Sequence, residues 1–378
     1  MTKIIFADLF CGTGGFSKGI CNYDESFELV FAIDILQSAT QTTKKNHNTS
    51  HIINNDIRKL KPSDIRNKLK HCGKHRLDLI IGGPPCQGFS SIRPFRSNDD
   101  EDPRNSLFEE FAKYINFFRP NMFVLENVVG ITTHANGSTL AQMQELFFKL
   151  GYDTDWRIIN AANYGVPQKR ERFIMIGASD GGKIYFPEPT HTFNGKTIGS
   201  KKKDKMITCS DSRSLSALSV MDAIDDLPAI ESGKSATHYN EPRTNYQRER
   251  RGNIDVLTLH DSTNHSEKML EIIRHSGSSI NSIPPHLITS GFSTCYSRLE
   301  ADEPANTITV NFVHPASNKC IHPKQNRALT PREGARLQGF DDDFVFCGTR
   351  AQIVKQIGNA VPPLIGKAIA SALYSELK

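Results

Sequence analysis

The chain has 378 residues, of which 38% are hydrophobic and 23% are charged. This composition is that of an ordinary globular protein, and the length allows a large core and about two domains. A net charge of +5 permits a polyanionic partner without requiring one, and no apolar run approaches the roughly 20 residues that span a bilayer, so we expect no membrane association.

The cysteines and the first residues of the chain indicate a cellular compartment. The eight cysteines are scattered without a Cys-x-x-Cys pair, which argues against a zinc site or a redox dithiol and favours free thiols. The segment from Met1 to Asp8 runs directly into a strand-like stretch, and it has neither a secretory apolar region nor a cleavage site. We therefore expect a protein of the cytoplasm without a metal site.

The first half of the chain alternates short apolar runs with amphipathic stretches. Strands are predicted at residues 4–6, 29–33, 79–81, 122–125 and 173–176, and helices at 106–118 and 139–150. Such alternation is typical of an α/β fold with a doubly wound, mostly parallel sheet. In that fold the functional groups lie at the carboxyl ends of the strands.

After Gly177 the composition changes to Gly, Ser, Thr, Lys, Pro and Asn, and the periodicity fades. Residues 181–300 therefore predict a second, loop-rich domain. Basic clusters at 201–203 and 243–251, the latter with four arginines in nine residues, could contact phosphate. Helical patterns return at 330–338, where Pro331 is the first helical residue, and at 364–377.

The segment DLFCGTGGFS (8–17) is a glycine turn between the first strand and a helix. Its glycines allow close backbone approach to a ligand, although residue 17 is serine where a dinucleotide fingerprint needs a third glycine. Asp34 ends the next strand, where it could bind ribose hydroxyls, and Asp56 follows the third, where it could accept from an adenine amino group. A purely structural turn is the alternative, but the three strand ends together favour an adenosine-containing ligand such as S-adenosylmethionine.

In GGPPCQGFS (82–90), Cys86 follows two prolines at the end of an apolar strand. The prolines stiffen the backbone, so the thiol is held rigidly at the carboxyl edge of the sheet. A buried cysteine that only packs would be the simpler interpretation of any single thiol. The rigid mount beside the glycine turn instead favours a nucleophile.

A carboxylate and two arginines are predicted at the same edge. Glu126 ends a further apolar strand, where an unpaired carboxylate would be costly to bury. Gln168, Arg170 and Arg172 alternate along an extended segment and are expected to face one side of it. Glu126 could pair with the arginines, and plain structural salt bridges remain the alternative.

Together these segments resemble the C5-cytosine DNA methyltransferases of the bacterial restriction-modification type, nearly from end to end. In the family's order, the segments that carry the resemblance are DLFCGTGGFS (8–17), GGPPCQGFS (82–90), DPRNSLF (102–108), ENV (126–128), QKRER (168–172), RALTPREGARLQGF (327–340) and QIGNAVPP (356–363).

The resemblance implies a mechanism and its catalytic residues. The Cys86 thiolate would attack C6 of a cytosine flipped out of the duplex, which makes C5 nucleophilic toward the methyl group of S-adenosylmethionine. Glu126 would hold N3 and the 4-amino group. Arg172, with Arg170 close by, would hold O2 and Glu126.

The resemblance also implies binding residues. Those for the cofactor are Phe10, Gly12, Gly14, Asp34, Ile35, Asp56, Ile57, Pro85, Leu107 and Asn359. Those for DNA are Gln87, Ser90 and Arg104, in a polar loop over the flipped base, and Thr307 in EPANTITV. Ile35 departs from the family, which often has an aromatic residue there.

The implied organisation has two domains. Residues 1–185, completed by 350–378, would bind the cofactor and catalyse, and residues 186–349 would recognise a short sequence in double-stranded DNA. We expect a monomer, acting either beside a cognate restriction endonuclease or as an orphan methylase.

Four other functions were weighed against this one. An RNA cytosine methyltransferase of the same fold would carry a Cys-Phe-Thr segment, and an N-methylating enzyme would carry (Asp/Asn)-Pro-Pro-(Tyr/Phe); neither segment is present. A nicotinamide oxidoreductase lacks the third glycine of its fingerprint. An idle DNA-binding module would not need the nucleophile, the glutamate and the arginines together.

Overall fold

A computed structural model describes residues 2–49, 51–71, 73–74, 76–85, 107–179, 181–195, 205–208, 214–288 and 291–378. Its largest element is a seven-stranded sheet in the order β3-β2-β1-β4-β5-β8-β6. The strands are β1 (Ile4–Leu9), β2 (Phe27–Asp34), β3 (Ile52–Asn54), β4 (Leu79–Gly82), β5 (Met122–Asn127), β6 (Tyr152–Asn160) and β8 (Glu171–Ser179), and β7 (Gln168–Lys169) precedes the last of them.

Strand direction is what builds the functional edge. The first five strands of that order are parallel, which confirms the predicted mostly parallel sheet. Strand β8 is antiparallel to both β5 and β6, with Phe173 opposite Asn127. The beginning of β8 therefore lies at the same edge as the carboxyl ends of its neighbours. Strand β6 was missed in the sequence, because the polar run from Asp153 to Asp155 conceals a strand at the edge of the sheet.

The helices form layers around the sheet. They are α1 (Gly15–Cys21), α2 (Gln37–Asn46), α3 (Pro62–His71), α4 (Leu107–Phe118), α5 (Ser138–Lys149), α6 (Val220–Ile224), α7 (Asn245–Arg251), α8 (Glu267–Arg274), α9 (Pro331–Leu337), α10 (Arg350–Asn359) and α11 (Pro363–Leu377). Helices α3, α4 and α5 share one apolar cluster with the sheet, and α1 and α11 share another. None of these described helices is both long and apolar enough to cross a membrane.

Helices α1 and α11 cross without space between their backbones. A Cβ atom on Gly19 would lie 1.9 Å from the carbonyl oxygen of Pro363, and one on Gly366 would lie 2.3 Å from that of Phe16. Only glycine tolerates such an approach. The last helix is thereby locked onto the helix that follows the glycine turn.

The region of residues 181–306 is loop-rich, as was predicted for 181–300. It contains only short described elements: helices α6 to α8 of five to eight residues, and the two-residue strands β9 (His191–Thr192), β10 (Leu215–Ser216) and β11 (Ala305–Asn306). Helix α9 begins as the sequence predicted, with Pro331 first and Thr330 as its cap. Helix α10 shares the apolar cluster of this region, whereas α11 belongs to the sheet.

A buried ion network holds the loop-rich region together. Arg327 pairs with Glu333 through two hydrogen bonds of 2.8 and 2.7 Å, and Arg336 pairs with Asp342 at 2.6 Å and with Asp226 at 3.2 Å. All five side chains are at most 1% exposed. Buried charges of this kind are tolerated only when they are balanced and hydrogen-bonded.

Candidate active site

The loop between β1 and α1 is strained. Phe10, Gly12 and Gly14 have positive φ angles of 61°, 52° and 74°. The left-handed region costs a residue with a Cβ atom about 1–2 kcal/mol, so the surroundings of Phe10 must hold it there. Helix α1 follows without a side-chain cap, which leaves its first N–H groups for other acceptors.

Asp34 fixes this turn to the end of β2. Its Oδ2 accepts a hydrogen bond from the N–H of Gly12 at 2.9 Å, and its Oδ1 accepts from the N–H of Leu36 at 2.8 Å. Burial raises the pKa of the Asp34 carboxyl group. A carboxylate has about four lone-pair positions, so the two oxygens keep capacity for the ribose hydroxyls that the sequence predicted.

The third strand end lies next to it. Asp56 accepts from the N–H of Arg58 at 3.0 Å and pairs with its guanidinium at 2.7 Å, and these bonds hold the pKa of Asp56 below its usual value. Ile57 is buried, whereas Ile35 is 62% exposed. An open apolar side chain thus follows Asp34 at the edge where an adenine is expected.

The C-terminal segment reaches the same edge. A Cβ atom on Gly15 would lie 2.8 Å from the carbonyl oxygen of Val361, so the backbone just after Asn359 contacts the start of α1. Leu107 and Phe10 belong to one apolar cluster. The segment that follows Asn359 therefore lies beside the glycine turn.

Asp8 is an acidic residue of the segment DLFCGTGGFS for which the sequence predicted no role. It lies in β1 with 2% of its surface exposed, and its Oδ2 has no hydrogen-bond partner among the described residues. Burial raises the pKa of this carboxyl group to about 7, although Ser17 beside it works in the opposite direction. An acidic residue inside an otherwise apolar strand was the signal that could have revealed it.

Glu126 and Arg172 form an ion pair. Arg172 Nε lies 2.9 Å from Glu126 Oε1, and the two side chains are 14% and 12% exposed. The other carboxylate oxygen, Oε2, lies 3.0 Å from where a Cβ atom on Gly83 would be, and Asn127 Nδ2 donates to the carbonyl oxygen of Pro84 at 3.1 Å. The pair therefore sits against the backbone that leads directly into Cys86.

Arg170 has hydrogen-bond partners of its own, different from those of Arg172. The extended segment is interrupted at Arg170, between β7 and β8, and the three alternating side chains have different partners. Arg170 is buried, and its guanidinium donates to the carbonyl oxygens of Ile308, Gly358 and Ala360, each at 3.1 Å. Gln168 also binds Ile308, and the charges of Arg172 and Glu126 act on Arg170, whose pKa is lowered chiefly by burial. That all three alternating side chains face one side of the segment stays a prediction.

Several predicted DNA contacts fall outside the described residues. These are Gln87, Ser90 and Arg104, together with Cys86 and the basic cluster at 201–203. Thr307 is half-buried, and its hydroxyl donates to the carbonyl oxygen of Lys169 at 3.0 Å.

The arginine-rich cluster at 243–251 is engaged within the protein. Arg243 pairs with Asp225 at 2.6 Å, and Arg250 pairs with Asp341 at 2.7 Å. Two of the four arginines of this cluster therefore have carboxylate partners within the protein, although Arg243 is largely exposed.

The doubly wound sheet, the glycine turn and the neighbouring Glu126–Arg172 pair define an α/β enzyme of the methyltransferase type. The family model for C-5 cytosine-specific DNA methylases matches residues 4–375, and the chain belongs to this family. It is thus a DNA (cytosine-5)-methyltransferase.

Proteins of known class support the same assignment. The chain is 36% identical to the type II methyltransferase M1.HphI of Haemophilus parahaemolyticus, over 98% of this chain and 87% of that protein. It is 32% identical to M.AgeI of Thalassovita gelatinovora, over 97% and 98% of the two chains. A crystal structure presented as a prophage-encoded DNA modification methyltransferase from E. coli superposes with a TM-score of 0.74 at 25% identity, covering 99% of each chain.

Proposed function

We propose that this methyltransferase takes its methyl group from S-adenosylmethionine and transfers it to C5 of cytosine through a covalent bond between Cys86 Sγ and C6. The observation that carries the proposal is the Glu126–Arg172 ion pair, with its 2.9 Å contact, packed against Gly83 three residues before Cys86. The carboxylate of Glu126, the guanidinium of Arg172 and the backbone that leads into Cys86 therefore lie at one edge of the sheet.

The three groups have separate tasks in this mechanism. Cytosine C5 is a poor nucleophile, so attack of the Cys86 thiolate on C6 first converts the ring to an enamine. Glu126 donates a proton to N3 as the Sγ–C6 bond forms, which prevents negative charge from accumulating on the ring. Arg172 holds Glu126 and the O2 atom in place. After C5 gains the methyl group, a base removes the C5 proton, the Sγ–C6 bond breaks to release Cys86 as thiolate, and N3 returns its proton to Glu126.

The described edge fits S-adenosylmethionine, which supplies a methyl group activated on a sulfonium. The glycine turn without a side-chain cap, the carboxylate of Asp34 and the exposed Ile35 suit an adenosine with a short polar tail. The residues that would hold it are Phe10, Gly12, Gly14, Asp34, Ile35, Asp56, Ile57, Pro85, Leu107 and Asn359.

The second substrate is double-stranded DNA, from which the target cytosine is flipped. Within a stacked duplex C6 is inaccessible, so the enzyme must extrude the base. Residues 186–349 recognise the sequence, and Gln87, Ser90, Arg104 and Thr307 contact the DNA. The relatives named as type II methyltransferases support a role in DNA modification. We further propose that the enzyme acts as a monomer in the cytoplasm, either beside a partner endonuclease or as an orphan methylase.

Expression in a host without cytosine methylation tests the proposal. Wild type, Cys86→Ser and the matched control Cys347→Ser, which changes a half-buried cysteine elsewhere, are produced, and host DNA is bisulfite-sequenced. We expect protected cytosines in one short motif with wild type and Cys347→Ser, and none with Cys86→Ser. Equal protection with Cys86→Ser would exclude Cys86 as the nucleophile. Soluble, folded wild type without protection would exclude host-DNA methylation.

A further inference from the structure

Arg170 is a buried cation whose three partners come from two separate parts of the chain. Its guanidinium donates from Nη1 to Ile308 and from Nη2 to Gly358 and Ala360, and these carbonyls are 138 to 190 residues away in the sequence. Only 2% of the residue is exposed. Burying a guanidinium is costly, and here the cost is offset by backbone carbonyls rather than by a carboxylate.

The first of these partners belongs to a strap, residues 305–310, that crosses the start of the Q-x-R-x-R segment. The strap pairs with β7 through Ala305 and Asn306, and Thr307 is tied to Lys169. A salt bridge between Lys169 Nζ and Glu303 Oε2 joins β7 to Glu303, which lies two residues before the strap. A displacement of the strap would therefore also displace the segment that leads into β8, the strand that carries Arg172.

The other two partners flank Asn359, the last residue of α10. Arg170 thus donates hydrogen bonds to the backbone on both sides of Asn359, a predicted cofactor residue. A Cβ atom on Gly358 would lie 2.4 Å from the backbone carbon of Thr309, so the strap and the end of α10 have no space between them. Movement of one must displace the other.

A second route runs parallel to the first. Gln168 Oε1 accepts from the N–H of Ile308 at 2.8 Å, and Gln168 Nε2 donates to Gln338 Oε1 at 2.9 Å. Gln338 Nε2 in turn donates to the carbonyl oxygen of Ile357 at 2.6 Å. Two buried connections therefore join the strap to the end of α10, and both start from the strand that leads to Arg172.

We infer that Arg170 is a positioning residue that couples the strap to the cofactor side of the site by holding the backbone on either side of Asn359. This inference rests on the proposed function, in which Asn359 binds the cofactor and the strap lies on the DNA side. The hydrogen bonds of Arg170 go to backbone carbonyl oxygens, so it would act on the cofactor through the backbone on either side of Asn359. Its loss should weaken cofactor binding and leave the chemical step largely intact once the cofactor is saturating.

The test compares Arg170→Met with Lys169→Met. Lys169 joins the same strand to Glu303, before the strap, and its side chain pairs there rather than with residues 358–360, so it is a matched control. Calorimetry with S-adenosylhomocysteine and steady-state kinetics with S-adenosylmethionine are measured for the full-length proteins. We expect the Kd and the cofactor KM of Arg170→Met to rise about tenfold or more, with kcat within about threefold, and Lys169→Met to bind like wild type. Ethylguanidinium should partly restore binding to Arg170→Ala.

Each outcome decides the inference. Unchanged Kd in Arg170→Met overturns it, and so does a parallel loss of kcat, cofactor binding and melting temperature that ethylguanidinium does not relieve. If Arg170→Met fails to fold, Arg170→Lys replaces it: a folded protein with raised Kd supports the inference, and a second unfolded variant overturns it. Failure of the wild type itself to bind S-adenosylhomocysteine would instead contradict the proposed function.

Discussion

The loop-rich region and the cofactor edge bury polar groups in opposite ways. In the ion network of the loop-rich region, Arg336 uses several guanidinium nitrogens on Asp226 and Asp342, and those carboxylates are its charge partners. At the cofactor edge, buried Asp8 and Arg170 each retain one polar atom without a hydrogen-bond partner among the described residues. Complete satisfaction is expected where polar groups serve stability, and incomplete satisfaction where they serve a site.

Electrostatics follow the same division. Burial alone would raise the pKa of Glu333, but Arg327 reverses this and holds it far below its usual value. At Asp8 burial wins, and the pKa rises to about 7. The difference teaches that burial depth does not determine ionisation; an opposite charge within hydrogen-bond distance does.

Breaking the satisfied network should have the largest effect. Arg336→Met leaves Asp226 and Asp342 as buried carboxylates without their main partner, and we expect the free energy of unfolding to fall by about 3–5 kcal/mol. Urea denaturation measures this. Arg243→Met is the control, because Arg243 is 72% exposed in its pair with Asp225, and such pairs contribute less than about 1 kcal/mol. Equal losses in both variants would contradict the comparison.

Replacing Asp8, which has an unsatisfied buried oxygen, should raise the stability of the protein, and by less than Arg336→Met lowers it. Because burial raises the pKa of Asp8 above its unfolded value of 3.8, its contribution to stability is present below about pH 3.8 and is lost as pH rises to about 7. Asp8→Asn removes that loss, so the variant should be more stable than wild type by roughly 2 kcal/mol at pH 8, with little difference near pH 4. Thermal melts at the two pH values measure it, with exposed Asp153→Asn as control. A variant that is less stable at pH 8 would show that Asp8 is satisfied as an anion.

The smallest expected effect sharpens the comparison at acid pH. Burial lowers the pKa of His322, beside Glu333, to about 4. The unfolded chain binds a proton near pH 6.5, so stability is full above that value and is lost as pH falls toward 4. His322→Gln should therefore flatten the decline between pH 6.5 and 4 by roughly 1–2 kcal/mol. Denaturation midpoints of both proteins between pH 6.5 and 4 measure this decline in stability. If the midpoints of wild type and His322→Gln fall in parallel, His322 is not the group that causes the decline.

Local features of the molecule could be predicted from the sequence. The glycine turn, the strand end at Asp34, and the capped start at Thr330 and Pro331 depend on neighbouring residues, whose chemistry is visible in a short window. The pairing of Glu126 with Arg172 also followed, because a buried carboxylate requires a partner.

Long-range geometry could not be predicted in the same way. The antiparallel direction of β8 depends on its pairing with β5, and the residues of β8 alone do not indicate that direction. The partners of Arg170 are carbonyl groups, which every residue carries, so no side-chain pattern announces Ile308 or Gly358 as acceptors. Asp8 was visible as a residue, but its isolation is a property of the folded surroundings.

The glycine-mediated crossing of α1 and α11 has a consequence for the order of folding. Gly19 and Gly366 make their contacts across almost the whole length of the chain. Contacts of such sequence separation form late and slow the folding of a domain. During synthesis the helix after the glycine turn must wait, with part of its apolar face uncovered, until the last helix has been made. A nascent chain should therefore acquire its cofactor site only after α11 has been synthesised, and slow synthesis should leave it dependent on chaperones.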